Sequence, residues 1–143
     1  MQISQVLRHK DGGVATIVAT ESVRNALAVL AERKIGALVV SSDGERVEGI
    51  VSERDIARGF HEHGAGLLTE PVSGVMTADV RTTVPSSSVT ELAQTMTDHR
   101  IRHIPVVSDG KLVGIVSIGD VVKARLDELE SERAQLVDYI QQV

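Results

Sequence analysis

Two apolar segments of the chain end in the same polar pattern. Residues 49–51 and 114–116 both read Gly-Ile-Val, and each is followed by Ser-x-x-Asp and a further apolar residue. A short apolar run that ends at a serine and passes into apolar residues at helical spacing is typical of a buried strand leading directly into a helix. The pattern therefore predicts two strand-to-helix junctions, one at Ser52 and one at Ser117.

The repetition extends well upstream of these junctions. Residues 22–27 and 35–40 pair with residues 88–93 and 101–106 at an offset of 66 (88 − 22), and the Gly-Ile-Val-Ser segments pair at 65 (114 − 49). Residues 3–7 also resemble residues 72–76. Two copies are too few for a solenoid. We therefore expect two similar units packed face to face with pseudo-twofold symmetry, each burying surface that the other cannot bury alone.

Each copy alternates between strand and helix patterns, which predicts an α+β fold of two β-α-β-β-α repeats. The first copy is expected to contain a short helix or turn at 1–7, a loop at 8–13, strands at 14–18, 36–41 and 47–51, and helices at 22–34 and 52–62. After a linker at 67–71, the second copy is expected to contain strands near 80–84, at 103–107 and at 112–116, and helices at 89–100 and from 117 onward. Asp-Gly pairs at 43–44 and 109–110 predict hairpin turns.

The last helix is predicted to protrude beyond the repeats with an apolar stripe along one side. The stripe has alternating spacings of four and three and is broken by one arginine: Val122, Leu126, Leu129, Arg133, Leu136, Ile140 and Val143. This spacing is typical of a coiled-coil seam. We expect a second chain to cover the stripe and form a homodimer; the alternative is that the helix folds back on its own module.

The amino-acid composition of the chain argues against several classes of function. The chain has 143 residues, of which 42% are hydrophobic and only Phe60 and Tyr139 are aromatic. The lack of stacking platforms and the net charge of −5 argue against nucleic-acid binding. The absence of cysteine excludes disulfides and zinc–thiolate sites. Without a secretory signal or an apolar run of about 18 residues, we expect a cytoplasmic protein that does not enter a membrane.

The strand-to-helix junctions have two chemical interpretations. The start of a helix offers N–H groups without partners and a positive partial charge, which suit a phosphate. Asp120 then offers carboxylate oxygens to the hydroxyl groups of a ribose. The alternative is purely structural, because a serine at the N-cap with an acidic residue three positions later resembles a capping box. The residues alone leave both interpretations open.

Because of these repeated phrases, the chain resembles a pair of CBS domains, also called a Bateman module. The Gly-Ile-Val-Ser-x-x-Asp phrase occurs twice, and the phrase at 101–106, Ile-Arg-His-Ile-Pro-Val, has its counterpart at 35–40. The resemblance is closest to the small stand-alone bacterial CBS proteins and covers residues 1–125. It implies a first repeat at 1–66, a second at 67–125 and a C-terminal amphipathic helix at 126–143.

The resemblance implies a non-catalytic regulatory module. Such modules bind adenosyl ligands (AMP, ADP, ATP, S-adenosylmethionine or NAD-type molecules) in the cleft between the repeats and relay occupancy through the geometry of a dimer. It also implies no tightly bound cofactor, and the C-terminal helix is a candidate site for an unidentified protein partner. The alternative is a structural scaffold for dimerisation or partner binding with no nucleotide ligand.

The resemblance also implies two sites that each combine both repeats. One set consists of Ser117, Gly119, Asp120, Val14, Ala15, Ile35, Gly36 and Ala37. The other consists of Ser52, Arg54, Asp55, Val80, Arg81, Ile101, Arg102 and His103. Backbone and apolar groups would hold the adenine, the aspartate the ribose, and the serine and helix start the phosphate. We expect the site at Asp120 to be better formed, because Ile118 and Gly119 are neutral whereas Glu53 would repel phosphate.

Metal and enzyme sites are not expected. His61 and His63 are two positions apart on a predicted helix and therefore point to different faces. Serine, histidine and aspartate all occur, but the chain contains neither a Gly-x-Ser-x-Gly nucleophile elbow nor a Walker phosphate loop. We therefore expect no catalytic residues and no metal.

Overall fold

The computed structural model describes residues 1–10 and 13–142. The first half contains helix α1 (Ile3–Arg8), strand β1 (Thr16–Ile17), helix α2 (Val23–Arg33), strands β2 (Ala37–Val40) and β3 (Gly49–Ser52), and helix α3 (Glu53–His63). Two 3₁₀ segments follow, Gly64–Thr69 and Val72–Gly74. The second half contains helix α4 (Val89–His99), strands β4 (His103–Ser108) and β5 (Lys111–Ser117), and helix α5 (Ile118–Gln141). The α+β arrangement of two repeats is confirmed.

The strands form two small sheets, one in each repeat. In the first sheet β1 pairs in parallel with β2, with Thr16 opposite Val39, and β2 pairs antiparallel with β3, with Ala37 opposite Ser52. In the second sheet β4 and β5 form a hairpin with His103 opposite Ser117. Its two-residue turn has positive φ at both Asp109 (53°) and Gly110 (76°), as the Asp-Gly pair predicts for a turn that matches strand twist.

Three sequence-based expectations need correction or fall partly outside the described residues. The strand predicted near 80–84 is reduced to one parallel bridge, Thr83 to Val106, because Val84 is 47% exposed and Pro85 cannot donate to a ladder. The linker predicted at 67–71 is partly helical, because Leu67 is buried in the first core and anchors a 3₁₀ turn. The loop predicted at 8–13 includes residues 11 and 12, which lie outside the described residues.

Two hydrophobic cores lie side by side, and each is completed by a segment from the other repeat. The second-repeat core contains Ile3 and Val6 of α1, both buried, with Leu7 packed against it. The first-repeat core contains Leu67 and Val72, with Met76 packed against it. Residues 1–8 and 67–76 are therefore exchanged between the repeats.

The two exchanged segments are held by equivalent backbone hydrogen bonds. Ile3 donates its N–H to Ser87 O at 2.9 Å, and the equivalent Val72 donates to Glu21 O at 2.7 Å. Gly114 lies under the exchanged Leu7, since a Cβ at this position would be 2.5 Å from Leu7 Cδ2. Its counterpart Gly49 lies under Met76, at 2.7 Å from Sδ. Glycine at both positions lets the exchanged segments lie close to the hairpins, since a Cβ would force Leu7 and Met76 to shift.

Helix α5 leaves the module after Glu128, whose carboxylate pairs with the Met1 amino group at 2.8 Å. Its buried residues are Val121 and Ala124, whereas every described residue from 129 onward is exposed. The apolar stripe stands in solvent, with Leu136 63% and Ile140 70% exposed. The alternative that this helix folds back on its own module is therefore wrong. Val143, the last position of the predicted stripe, lies outside the described residues.

Candidate functional site

Two cavities lie at the interface between the repeats. The cavity beside Ser117, here the Ser117 cavity, measures about 620 Å³, and the cavity beside Ser52, here the Ser52 cavity, measures about 270 Å³. Each is lined by residues of both repeats. A volume of roughly 300–1,000 Å³ is usual for small-molecule sites, so the Ser117 cavity is large enough for a ligand of nucleotide size.

The structure gathers most of the residues implied by the family resemblance around these cavities. The Ser117 cavity is lined by six of the eight: Ser117, Val14, Ala15, Ile35, Gly36 and Ala37. Gly119 and Asp120 are not among its lining residues; they lie in the first turn of α5, directly after Ser117. The Ser52 cavity is lined by all eight: Ser52, Arg54, Asp55, Val80, Arg81, Ile101, Arg102 and His103.

The two Ser-x-x-Asp phrases form capping boxes at the starts of α3 and α5. Ser117 N–H donates to Asp120 Oδ2 at 2.8 Å, and Asp120 N–H donates to Ser117 Oγ at 3.2 Å. The first helical N–H of α5, from Ile118, donates to Arg102 O at 2.8 Å. Asp55 and Ser52 form the same reciprocal pair in α3. Both phrases therefore cap their helices, and the caps hold both aspartates in fixed orientations beside the cavities.

Lys10 distinguishes the Ser117 cavity from its counterpart. Its half-buried ammonium donates to Asp120 Oδ2 and to Ile115 O, both at 2.7 Å. Burial alone would raise the pKa of Asp120, but the hydrogen bonds from Lys10 and from the Ser117 backbone outweigh it and hold that pKa below its ordinary value. At the equivalent position of the second repeat, Asp79 lines the Ser52 cavity. The two cavities therefore differ in charge for two reasons. Glu53 lines only the Ser52 cavity, and the position held by Lys10 at the Ser117 cavity is held by Asp79 at the Ser52 cavity.

His103 forms a wall shared by both cavities. It lines both of them together with Gly36, and a Cβ on Gly36 would be 3.0 Å from its Cε1. Burial lowers the pKa of His103, as does the charge of Lys10, against smaller opposing effects of Glu53 and Asp120. The imidazole is therefore held neutral between the two sites at neutral pH.

Several cations that line the cavities were not singled out by the sequence. Lys10, Arg33 and Lys34 line the Ser117 cavity, and Arg58 and Arg100 line the Ser52 cavity. None belongs to a repeated phrase. The available signal was the repeat offset of 66, which relates Lys34 to Arg100 (100 − 34) at the ends of corresponding helices.

The remaining candidates do not form sites in the part of the chain that the structure describes. His61 and His63 are exposed near the end of α3, and residues 1–10 and 13–142 contain no cluster of three potential metal ligands. None of the helices in these residues is both long and apolar enough to cross a membrane.

Two similar repeats of helices and short strands, with exchanged segments and two cavities at their interface, define a paired-repeat module. The sequence profile of the CBS domain matches the chain twice, over residues 4–62 and 72–127. The chain therefore belongs to the CBS-domain family, as the repeated phrases predict.

Similar proteins are found in a bacterium, an archaeon and a plant. A CBS-domain protein structure from Agrobacterium tumefaciens is 39% identical with a TM-score of 0.84, covering 87% of this chain and 99% of that one. A Pyrobaculum aerophilum CBS-domain protein, solved in complex with AMP, is 28% identical with a TM-score of 0.78, covering 92% and 99%. A mitochondrial CBS-domain protein of Arabidopsis thaliana is 37% identical over 97% of this chain and 71% of its own length.

Proposed function

We propose that this protein is a non-catalytic regulatory module that binds an adenine nucleotide in the Ser117 cavity. The observation that carries the proposal is the composition of this cavity, which is about 620 Å³ and combines a backbone and apolar wall with polar residues such as Ser117 and Lys10. The wall consists of Val14, Ala15 and residues 35–37. A site with apolar walls and a few fixed polar groups is the usual form of a small-molecule pocket.

The roles of the polar groups follow from their geometry. Ser117 and the start of α5 offer a hydroxyl and the positive end of a helix to a phosphate. Asp120 uses Oδ2 for Lys10 and for the cap, which leaves its second oxygen as the acceptor for a ribose hydroxyl. The solved AMP complex of the Pyrobaculum aerophilum relative supports an adenosyl ligand in this family. The Ser52 cavity, at about 270 Å³, is the candidate for a second, smaller or more charged ligand.

Regulation would work by population shift. A ligand that contacts both repeats binds best to one relative orientation of them and therefore favours that orientation. Helix α5 begins at Ser117 in the site and ends outside the module, so it is the element that carries this change outward. We propose a homodimer in which the exposed stripe of α5 is covered by a second copy of the chain.

Thermal unfolding with a ligand panel tests the nucleotide proposal. The panel contains AMP, ADP, ATP, S-adenosylmethionine and NADH, with GMP as the guanine control. A ligand that binds the folded state stabilises it by about 2.7 kcal/mol at a hundredfold excess over its Kd. We expect a shift with at least one adenosyl ligand and none with GMP. A flat panel would favour the alternative function, a dimerisation or partner-binding scaffold based on the exposed face of α5.

The Asp120→Ala variant separates binding from capping. We expect it to lose the ligand-induced shift and, from the lost cap, about 1 kcal/mol of stability. Ser88→Ala is the matched control, because Ser88 caps α4 by accepting from Glu91 N–H at 3.0 Å and lines neither cavity. It should lose similar stability and keep the full ligand shift. An Asp120→Ala protein that retains the shift would contradict the assigned role of this carboxylate.

A further inference from the structure

Two basic residues occupy a backbone conformation that side chains rarely adopt. Lys34 ends α2 with φ 53° and ψ 47°, and Arg100 ends α4 with φ 52° and ψ 44°. Ile35 N–H then reaches back to Leu30 O, and Ile101 N–H to Met96 O, both at 3.1 Å. This closure of a helix usually has glycine or asparagine in the left-handed position, because a Cβ is unfavourable there.

Neither side chain makes a contact that explains its presence at this position. Both residues are exposed, so burial does not stabilise them. Among the described residues, no carboxylate lies within 4.0 Å of the charged group of either one. An unfavourable backbone conformation without compensating contacts is a reason to look for a function.

Both residues instead line the cavities, at corresponding places. Lys34 lines the Ser117 cavity, where Lys10 is already bound to Asp120. Arg100 lines the Ser52 cavity together with four further arginines, Arg54, Arg58, Arg81 and Arg102. The described ion pairs include none of these five arginines, although Glu53, Asp55 and Asp79 line the same cavity. The repeat thus places an uncompensated positive charge in each cavity from the end of a helix.

We propose that Lys34 and Arg100 are phosphate-contacting residues that make the cavities selective for phosphorylated adenosine over adenosine and over the cationic S-adenosylmethionine. The proposal rests on the proposed function and narrows its ligand class. Lysine provides a flexible point charge and arginine a planar fork for phosphate oxygens. The Ser52 cavity, with its five arginines, is the one suited to a ligand with more than one phosphate.

Glycine variants provide a sharp test, because glycine suits the backbone at both positions. Lys34→Gly and Arg100→Gly are compared with the wild type by calorimetric titration of AMP, ATP and adenosine. We expect Lys34→Gly to weaken AMP binding about tenfold, the usual loss of one charged hydrogen bond, and to leave adenosine binding unchanged. Arg100→Gly should weaken ATP binding to a similar extent. The midpoint of thermal unfolding without ligand should be at least that of the wild type in both variants.

Two further variants serve as controls for the charge of the side chain. Lys34→Arg keeps the charge and should retain AMP binding. Arg24→Gln removes one exposed positive charge from α2 away from both cavities, and should leave all affinities unchanged. Unchanged nucleotide affinities in both glycine variants would overturn the inference, as would an equal loss of AMP and adenosine binding. If the wild type bound none of the adenosyl ligands of the thermal-unfolding panel, the proposed function itself would fail, and this inference with it.

Discussion

His103 is the residue at which the two candidate sites meet. Its imidazole lines both cavities and lies against Gly36 of the other repeat. Its position in the second repeat corresponds to Ala37 in the first, at the offset of 66 (103 − 37). The pseudo-symmetry therefore places one titratable ring, without a symmetric partner, in the partition between the cavities.

The depressed pKa of His103 predicts a pH dependence of stability. Because the folded pKa lies below the ordinary value of 6.5, the unfolded chain binds more protons between the two values, and stability falls as pH decreases through this range. We expect urea unfolding to give a lower free energy at pH 5 than at pH 7.5, and His103→Asn to reduce this difference. His61→Asn, an exposed histidine of α3, should not. An equal pH dependence in wild type and His103→Asn would contradict the assignment.

At the residue scale, site residues that belong to a repeated phrase can be predicted from the sequence, whereas site residues outside these phrases cannot. Ser52 and Ser117 are predictable because a serine between an apolar strand and a helix has a local physical role as a cap. Lys10 is not, because its partner Asp120 is 110 positions away and nothing in a polar loop indicates which residue its charge meets. Lys34 is visible in sequence as the end of a helix, but its neighbourhood depends on the second repeat.

Helix α5 combines two surfaces of different character. Its first turns bury Val121 and Ala124 against the module, and the Glu128 carboxylate pairs with Arg125 at 2.7 Å and with the Met1 amino group at 2.8 Å. Beyond this point, Leu129 is 53% and Leu136 is 63% exposed. Apolar side chains aligned at spacings of three and four on an exposed helix are typical of contact with another helix.

Removal of the exposed part of α5 tests the dimer. A chain that ends after Ala124 keeps the buried turns of α5, so we expect it to fold and to be monomeric by light scattering, whereas the full chain should have twice the mass of one chain. Leu136→Asp should have the same effect with a single change, because a carboxylate in the stripe opposes burial. Ser131→Asp, at an exposed position outside the stripe, is the control. An unchanged dimeric mass in the truncated chain would place the interface elsewhere.

At the element scale the helices were predicted better than the short strands. Helix α2 was expected at 22–34 and spans Val23–Arg33, because its apolar spacing and the Ser22 cap are local signals. The strand expected near 80–84 has the same composition of valine and threonine as true strands. It pairs only through Thr83, and whether an isolated valine-rich segment joins a sheet depends on which neighbour its backbone meets.

The whole molecule is held together by the exchange of residues 1–8 and 67–76. Ile3 is fully buried in the core of the second repeat, and Val72 in that of the first. Face-to-face packing of two units was predictable from the duplication. Which segment closes which core was not, because the apolar pattern of a short helix fits either core equally well.

Truncation of Ile3 should therefore disturb the opposite end of the sequence. We expect Ile3→Ala to cost about 2–5 kcal/mol, as for other buried isoleucines, and to increase hydrogen exchange in β4, β5 and α4 more than in β2 and β3. Val72→Ala is the matched variant and should show the reverse pattern. An increase confined to α1 after Ile3→Ala would show that the exchanged helix contributes little to the second core.

The exchange also governs the order in which the chain can fold as it leaves the ribosome. When residues 1–66 have been made, the first core still lacks Leu67 and Val72, and α1 has no surface on which to settle. The first core closes once the chain has been made to about Met76, whereas α1 waits until α4 and β5 emerge. During synthesis an N-terminal unit usually folds first. Here α1 is made before α4 and β5 but can pack only after both have been made.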